Sequence, residues 1–325
     1  MKFDVIVGNP PYQVQDGGSG SEMSAKPIYN LFVQQSKKLQ PKFLTMIMPS
    51  RWFSGGKGLD SFRAEMLSDN RISNIVDYEN SNEVFPGVDV AGGICYFLWD
   101  KSHNDDCTIV NRSKDSEFSS LRPLNEFHVL VRHSRALSMI HKIQNVEKGI
   151  FLDKVVSPRK PFGIPSTYKP KDKGTPCWFT QRIGKKFVQS DLVKDELCLK
   201  NKWKVLIPFA PIAGQTDFSK PIKFYHSQNV RIAKPGEICS ETYLVANFFD
   251  TEIEAQNFKS YLFTKLFRFL LLQNVISQNI TRGCFFFIPE LDSYKNTIDD
   301  EFLRKKWQIS DKEWSFVCEK IQDTQ

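Results

Sequence analysis

Four residues near the start of the chain, Asn9-Pro10-Pro11-Tyr12, carry groups suited to chemistry on a planar amine. An exocyclic aromatic amine is a poor nucleophile because its lone pair is delocalised into the ring. Two acceptors aimed at its hydrogens push the nitrogen towards sp³ and free that pair. The Asn9 side-chain oxygen can be one acceptor. The Pro10 backbone carbonyl can be the other, held rigid by Pro11. The Tyr12 ring can stack on the face of a base. No general base with a shifted pKa is needed, in keeping with a stretch that has no His or Cys nearby. A nucleobase reaches such a turn only after leaving its duplex. An isolated Asn-Pro-Pro is also an ordinary rigid turn, so the elements around it decide the reading.

Val5, Ile6 and Val7 form a β-branched run long enough for a buried strand. Gly8 ends it, and the two prolines stop both helix and sheet. The turn therefore stands at a strand's carboxyl end, where open α/β sheets bind ligands. "QVQDGGSGSEMSAK" reads as a mobile loop, followed by a helix over about 27–40 with Ile28, Leu31, Phe32 and Leu39 on its core face. "KFLTMIMPS" reads as a strand, "GLDSFRAEML" as a helix with Leu59, Phe62 and Met66 at core spacing, and "ISNIVDY", residues 90–100 and "CTIVNR" as further strands. The alternation means an α/β sheet with crossovers. Near residue 150 the composition turns rich in Pro and Lys, which divides the chain into 1–150 and 151–325. The second part holds short strand-like runs ("WKVLIPFA", "IKFYHS", "ETYLVANFF"), a helix over 251–271, a buried strand at "FFF" and a final helix over about 299–322.

At 325 residues and 41% apolar content the chain can bury one large core or two modest ones. No apolar run is long enough to span a membrane, and nothing resembles a signal peptide. The seven cysteines are scattered without a CxxC pair, which favours a reducing cytoplasm and neither a disulfide framework nor a metal site. The net charge of +7 is uneven: residues 154–234 hold 17 Lys and Arg against 5 Asp and Glu. Such a block suits a polyanion, nucleic acid first, or a solvated lysine-rich surface.

"DVIVGNPPY" resembles the catalytic motif of S-adenosylmethionine-dependent amino-methyltransferases. "TMIMPSRWF" resembles the next motif of the gamma-order N6-adenine DNA methyltransferases, and "VFPGVDVAGGICYFLWD" the strand that supplies a second aromatic beside the extruded base. "SPRKPFG", "EICSETYLVANFF" and "IDDEFLRKKWQISDKEWSFVCEKI" resemble the target-recognition part and tail of type II (IIG-like) restriction–modification methylases. The resemblance covers nearly the whole chain. It implies a partial Rossmann-like methyltransferase sheet in 1–150 and a mixed α+β target-recognition domain with a carboxyl-terminal helix in 151–325. It implies methyl transfer from S-adenosylmethionine to a flipped adenine in double-stranded DNA. Asn9, Pro10, Pro11 and Tyr12 would form the catalytic turn, with Asn9 and Pro10 touching the cofactor's methyl end. Phe97 would be the second stacking ring, or Tyr96 in its place, since adjacent strand residues face opposite ways.

The family's cofactor motif precedes its catalytic one, and here only Met1 precedes Lys2. The expectation is thus a carboxyl-terminal portion, inactive alone, that needs an amino-terminal fragment or partner subunit. The clusters "DGGSGSE" and "SGGKGLD" lack the spacing of a nucleotide loop. Arg159, Lys160 and Phe162 suit phosphate contact with stacking. Gln278, Asn279, Thr281 and Arg282 suit base-edge reading or a helix-ending turn. Arg51 and Trp52 suit contact with cofactor or DNA phosphate, or rim packing. Rival readings are a DNA-binding remnant without turnover and a protein glutamine methyltransferase.

Overall fold

The strand-like runs of the first half assemble into one mixed sheet. The structure, a computed structural model, describes residues 3–15, 25–56, 58–212, 215, 217–225, 227–275 and 278–323. The glycine-rich segment 16–22 lies outside them. Two compact units emerge: Met1–Leu137 with Thr216–Lys220 and Asn274–Ser277, and Ser138–Gln215 with Pro221–Gln273 and Gln278–Gln325.

The first unit runs β1 (Val5–Gly8), β2 (Gln13–Gln15), β3 (Ala25–Pro27), α1 (Tyr29–Lys38), β4 (Phe43–Pro49), α2 (Asp60–Ser68), β5 (Ile72–Tyr78), β6 (Ile94–Asp100), β7 (Cys107–Ser113) and β8 (Ser116–Arg122). Six strands pair in the order β1-β4-β6-β5-β7-β8, while β2 and β3 form a separate hairpin. β1 lies parallel to β4, and β6 is antiparallel to both its neighbours. Cross-strand partners share a face, so Leu44, Met46, Ile75, Phe97 and Trp99 look the same way. They bury against Tyr29 and Val33 of α1 and Leu59, Phe62 and Met66 on and beside α2. Val5 and Val7 point to the other face, 54% and 74% exposed, on a strand whose outer edge is unpaired among the described residues.

The stripe expected to bury α1 is the wrong one. Leu31, Phe32 and Leu39 are exposed, and the helix buries Tyr29, Val33, Ser36 and Lys37. Both stripes have helical spacing. Contacts to α2 choose between them: the Tyr29 ring meets Phe62 edge-on at 6.1 Å, and Lys37 Nζ reaches Asp69 at 3.0 Å and Glu65 at 3.4 Å.

The second unit begins with α3 (Leu137–Val146), ahead of the composition change at 150. It is anchored there by Lys142 Nζ to Glu313 (2.7 Å) and, just past its end, by Trp307 Nε1 donating to Glu147 (2.6 Å). Then come β9 (Thr175–Trp178), β10 (Lys185–Val188), β11 (Trp203–Pro208), β12 (Arg231–Ala233), β13 (Ile238–Cys239) and β14 (Tyr243–Phe249), in two three-stranded sheets. The expected helix over 251–271 splits into α4 (Glu252–Phe263) and α5 (Lys265–Leu272), because the Thr264 hydroxyl caps the second by accepting from Phe267 N. The final helix splits likewise into α6 (Asp300–Lys306) and α7 (Asp311–Lys320): Gln308 takes φ +52° and Ser310 forms a capping box with Glu313. "FFF" is no strand. A 3-10 turn over Arg282–Phe285 leads into it and still buries Phe285 and Phe287. "IKFYHS" contributes only an isolated bridge from Ile222 to Ile321.

Candidate active site at the end of the first strand

Asn9-Pro10-Pro11-Tyr12 leaves the carboxyl end of β1 as extended chain, as the prolines require. Pro10 is buried, while Asn9 and Pro11 are exposed. Neither the Asn9 amide nor the Pro10 carbonyl is engaged by another described residue. Among the described residues, two acceptors are thus unengaged on one short, rigid segment. The Tyr12 carbonyl accepts from Ile28 N (3.3 Å), which ties the turn to the entry of α1.

Beside Tyr12 opens a cavity of about 350 Å³, walled by Tyr12, Pro27, Tyr29, Pro49, Arg51 and Asp89, among others. Its walls come from the ends of β1, β3 and β4 and the loop before β6. Asn9 is not part of the wall. The hydroxyls of Tyr12 and Tyr29 are buried and have no hydrogen-bond partner among the described residues. Burial, then the nearby Cys95 thiol, raises both phenol pKa values, so both stay protonated. Burial and then Asp77 push the Cys95 thiol up to about 12, which excludes it as a nucleophile at neutral pH.

The turn after β4 is fixed from behind. Ser50 Oγ donates to Asp77 (2.6 Å), and Arg132 forms a buried pair with Asp77 (2.7 and 3.0 Å). Ser50 N donates to the carbonyl of Gly93 (3.1 Å). Gly93 has φ +77°, and a Cβ there would stand 2.1 Å from the Tyr78 carbonyl, so only glycine fits. Trp52 and Phe53 are buried in the core, which leaves Arg51 as the side chain of this turn that walls the cavity.

Phe97 is not a stacking ring: it is fully buried on the closed face, paired across to Met46. It lies mid-strand, whereas the cavity forms at strand ends. Tyr96 faces the opposite side, its ring 6.5 Å from Tyr78. The aromatic that shares the cavity with Tyr12 is Tyr29, which sequence reasoning missed because its position reads as helix core. Asp89 was missed too, in a loop with no motif.

In the second unit, Phe162 is fully buried in a core with Ile164, Phe179 and Val245, and this corrects its assignment as a stacking group. Arg159 and Lys160 remain exposed, with Lys160 at φ +64°. The Arg159 guanidinium lies 4.6 Å over the Phe209 ring and 3.7 Å from Glu241. Ile280 N donates to the Phe209 carbonyl (2.9 Å), which brings the segment carrying exposed Arg282 to the same residue that supports Arg159. Trp52, the other candidate beside Arg51, donates its indole N–H to Cys95 Sγ (3.4 Å) and is core.

Residues 1–85 match a family described as the Eco57I restriction-modification methylase. An adenine-specific methylase of Mycoplasma pneumoniae, itself uncharacterized, is 32% identical over 156 residues. The first 85 residues are therefore similar to a restriction–modification methylase domain. The alignment takes in 48% of the chain and 35% of that methylase, so the chain spans about a third of the curated protein it matches. Among solved structures, the type IIG restriction endonuclease BpuSI aligns over 94% of the chain and 48% of its own, at 14% identity and a TM-score of 0.37. A DrdV–DNA complex aligns over 89% and 43%, at 12% identity and a TM-score of 0.39.

Proposed function

We propose that the chain is the catalytic-turn and target-recognition portion of a site-specific DNA adenine N6-methyltransferase of a restriction–modification system. The observation that carries this is the Asn9–Tyr12 turn: two unengaged acceptors at a strand end, beside a cavity walled by two aromatic rings. The extruded adenine enters the cavity mouth with its amine at the turn. Asn9 Oδ1 and the Pro10 carbonyl accept the amine hydrogens and raise the nitrogen's nucleophilicity, and the Tyr12 ring supports the base. Stacking on one ring is worth about 1–3 kcal/mol.

S-adenosylmethionine, the usual donor of such methylases, supplies an electrophilic methyl group when bound. The described residues do not fit its adenosine part. Gly56 is closed by its own chain, since a Cβ there would meet Leu59 Cδ1 at 2.4 Å, and Gly58 faces open space with no neighbour to form a cradle. The chemistry derived for this chain is therefore confined to the amine. An amino-terminal methyltransferase segment or subunit would complete the donor site. The unpaired edge of β1, with Val5 and Val7 exposed, supports an approach there.

The test is Asn9→Ala in cells that express the protein with its donor-binding part, with N6-methyladenine mapped by sequencing. Loss of one aimed group typically costs about 10²–10³ in rate, so methylation should fall at least that far while DNA affinity stays within about twofold. Near-normal methylation would sink the assignment.

A further inference from the structure

Arg51 has no assigned task in the reading above, yet its setting is unusual. Its backbone is pinned by buried neighbours on both sides: Ser50 through Asp77 and Gly93, Trp52 and Phe53 through the core. Arg63, itself buried, donates to the carbonyls of Trp52 (3.4 Å) and Gly55 (3.1 Å), which fastens the far side of the same turn. The Arg51 side chain walls the cavity and is half-buried, and no described carboxylate pairs with it. Three buried cations in this unit have acid partners, Lys37 with Asp69, Arg63 with Asp60 and Arg132 with Asp77, and a fourth, Arg122, donates to the Val131 carbonyl, whereas no described hydrogen bond or ion pair engages the Arg51 guanidinium. A guanidinium that has lost part of its hydration without an ion pair is incomplete unless a ligand supplies the anion.

Three features of the site say which anion. The guanidinium is a planar fork of N–H donors that matches phosphate oxygens in bidentate fashion. It is only half-buried, so it serves a group that stays at the mouth rather than one that enters. An extruded nucleotide has that shape: the base swings in while its backbone phosphates remain outside. The same cavity is lined by two neutral phenol rings suited to the base itself, so the base and its flanking charge each find a partner among the lining residues. We propose that Arg51 holds a backbone phosphate beside the base that enters the cavity, and so positions the nucleotide for the Asn9 turn. This rests on the cavity being the base site. Arg51 is then a positioning residue, acting on the substrate's backbone and not on the reacting amine.

The experiment measures binding to the full chain by calorimetry or NMR, with deoxyadenosine and deoxyadenosine 3′,5′-bisphosphate as probes. Wild type should bind the bisphosphate at least tenfold more tightly. Arg51→Gln should abolish that preference and leave deoxyadenosine affinity unchanged, while Arg51→Lys, which keeps the charge, should retain part of it. Thermal melts establish that both variants fold. A preference that survives in Arg51→Gln, or no preference in wild type, overturns the inference and leaves the base site standing. If Arg51→Gln instead weakens S-adenosylhomocysteine and spares the bisphosphate, the residue serves the donor's carboxylate and the inference also fails. If wild type binds neither nucleoside probe, the base-site reading falls and takes this one with it.

Discussion

The Tyr29 hydroxyl is a buried donor without an acceptor among the described residues, a state that costs about 1–3 kcal/mol relative to a satisfied group. Tyr29→Phe removes it and keeps the ring that meets Phe62. The variant should therefore be more stable, by about 1 kcal/mol. Urea unfolding should show a higher midpoint with an unchanged slope. A lower midpoint would mean that the hydroxyl is satisfied in solution. At this scale the sequence was informative where chemistry lies in adjacent residues. The backbone course of Asn9 to Tyr12 could be read directly, since two prolines dictate it. The cavity wall could not, because Tyr29, Arg51 and Asp89 come from three separate segments that only the folded sheet brings together. Phe97 and Phe162 failed for the same reason in reverse: an aromatic residue looks alike in sequence whether it lines a site or fills a core.

Asp69 shows how the elements of the first unit are locked. It follows α2 and accepts from Arg71 Nε (2.7 Å) and from the Trp99 indole of β6 (3.0 Å), and pairs with Lys37 of α1 (3.0 Å). Burial alone would raise its pKa, but Arg71, Lys37 and Trp99 outweigh it and hold the carboxyl at about 2. The unfolded value is about 3.9. The folded pKa is depressed, so the stability it confers is full above pH about 4 and is lost as pH falls through about 2. Its size is roughly 1–2 kcal/mol, allowing for solvent screening. Asp69→Asn should lose at least that much at pH 7, and its stability should change less than wild type between pH 4 and 2 in acid titrations of the denaturant midpoint. An unchanged acid limb would remove Asp69 from the account. Strands such as Ile72–Tyr78 and Ile94–Asp100 were legible because β-branched and aromatic runs leave few alternatives. The orientation of α1 was not: two stripes compete, and the partners that decide, Asp69 among them, lie on another helix. The breaks at Thr264 and Gln308 were hidden because a single cap or one positive φ interrupts an otherwise continuous helical pattern.

At the scale of the molecule, the charge asymmetry was fully visible in composition, whereas the arrangement that makes part of it usable was not. Of the 17 cations in residues 154–234, several are already committed: Lys204 is buried, donating to the carbonyls of Lys200 (3.0 Å) and Lys234 (3.1 Å), Lys185 pairs with Glu237, and Lys202 with Asp250. Arg159 is different. Its acid partner is 3.7 Å away, while the Phe209 ring holds the guanidinium outward, and exposed Lys160 adjoins it on a strained backbone. The tie from Phe209 to Ile280 sets the Arg282 segment beside the same support. If these residues neutralise DNA phosphates, each one displaces condensed counterions, and the slope of log affinity against log salt shrinks by about 0.9 for every phosphate left without its cation. Replacing Arg159 and Lys160 together with Ala in the full chain should therefore weaken duplex binding at every sequence and flatten that slope by about 2. Fluorescence anisotropy across a salt series measures both quantities. Arg282→Ala should lower the slope by about 1 more if its segment shares the surface. A slope that stays at its wild-type value in the double variant, or binding that ignores salt altogether, would move the DNA surface away from Phe209 and leave the basic block as solvated lysine.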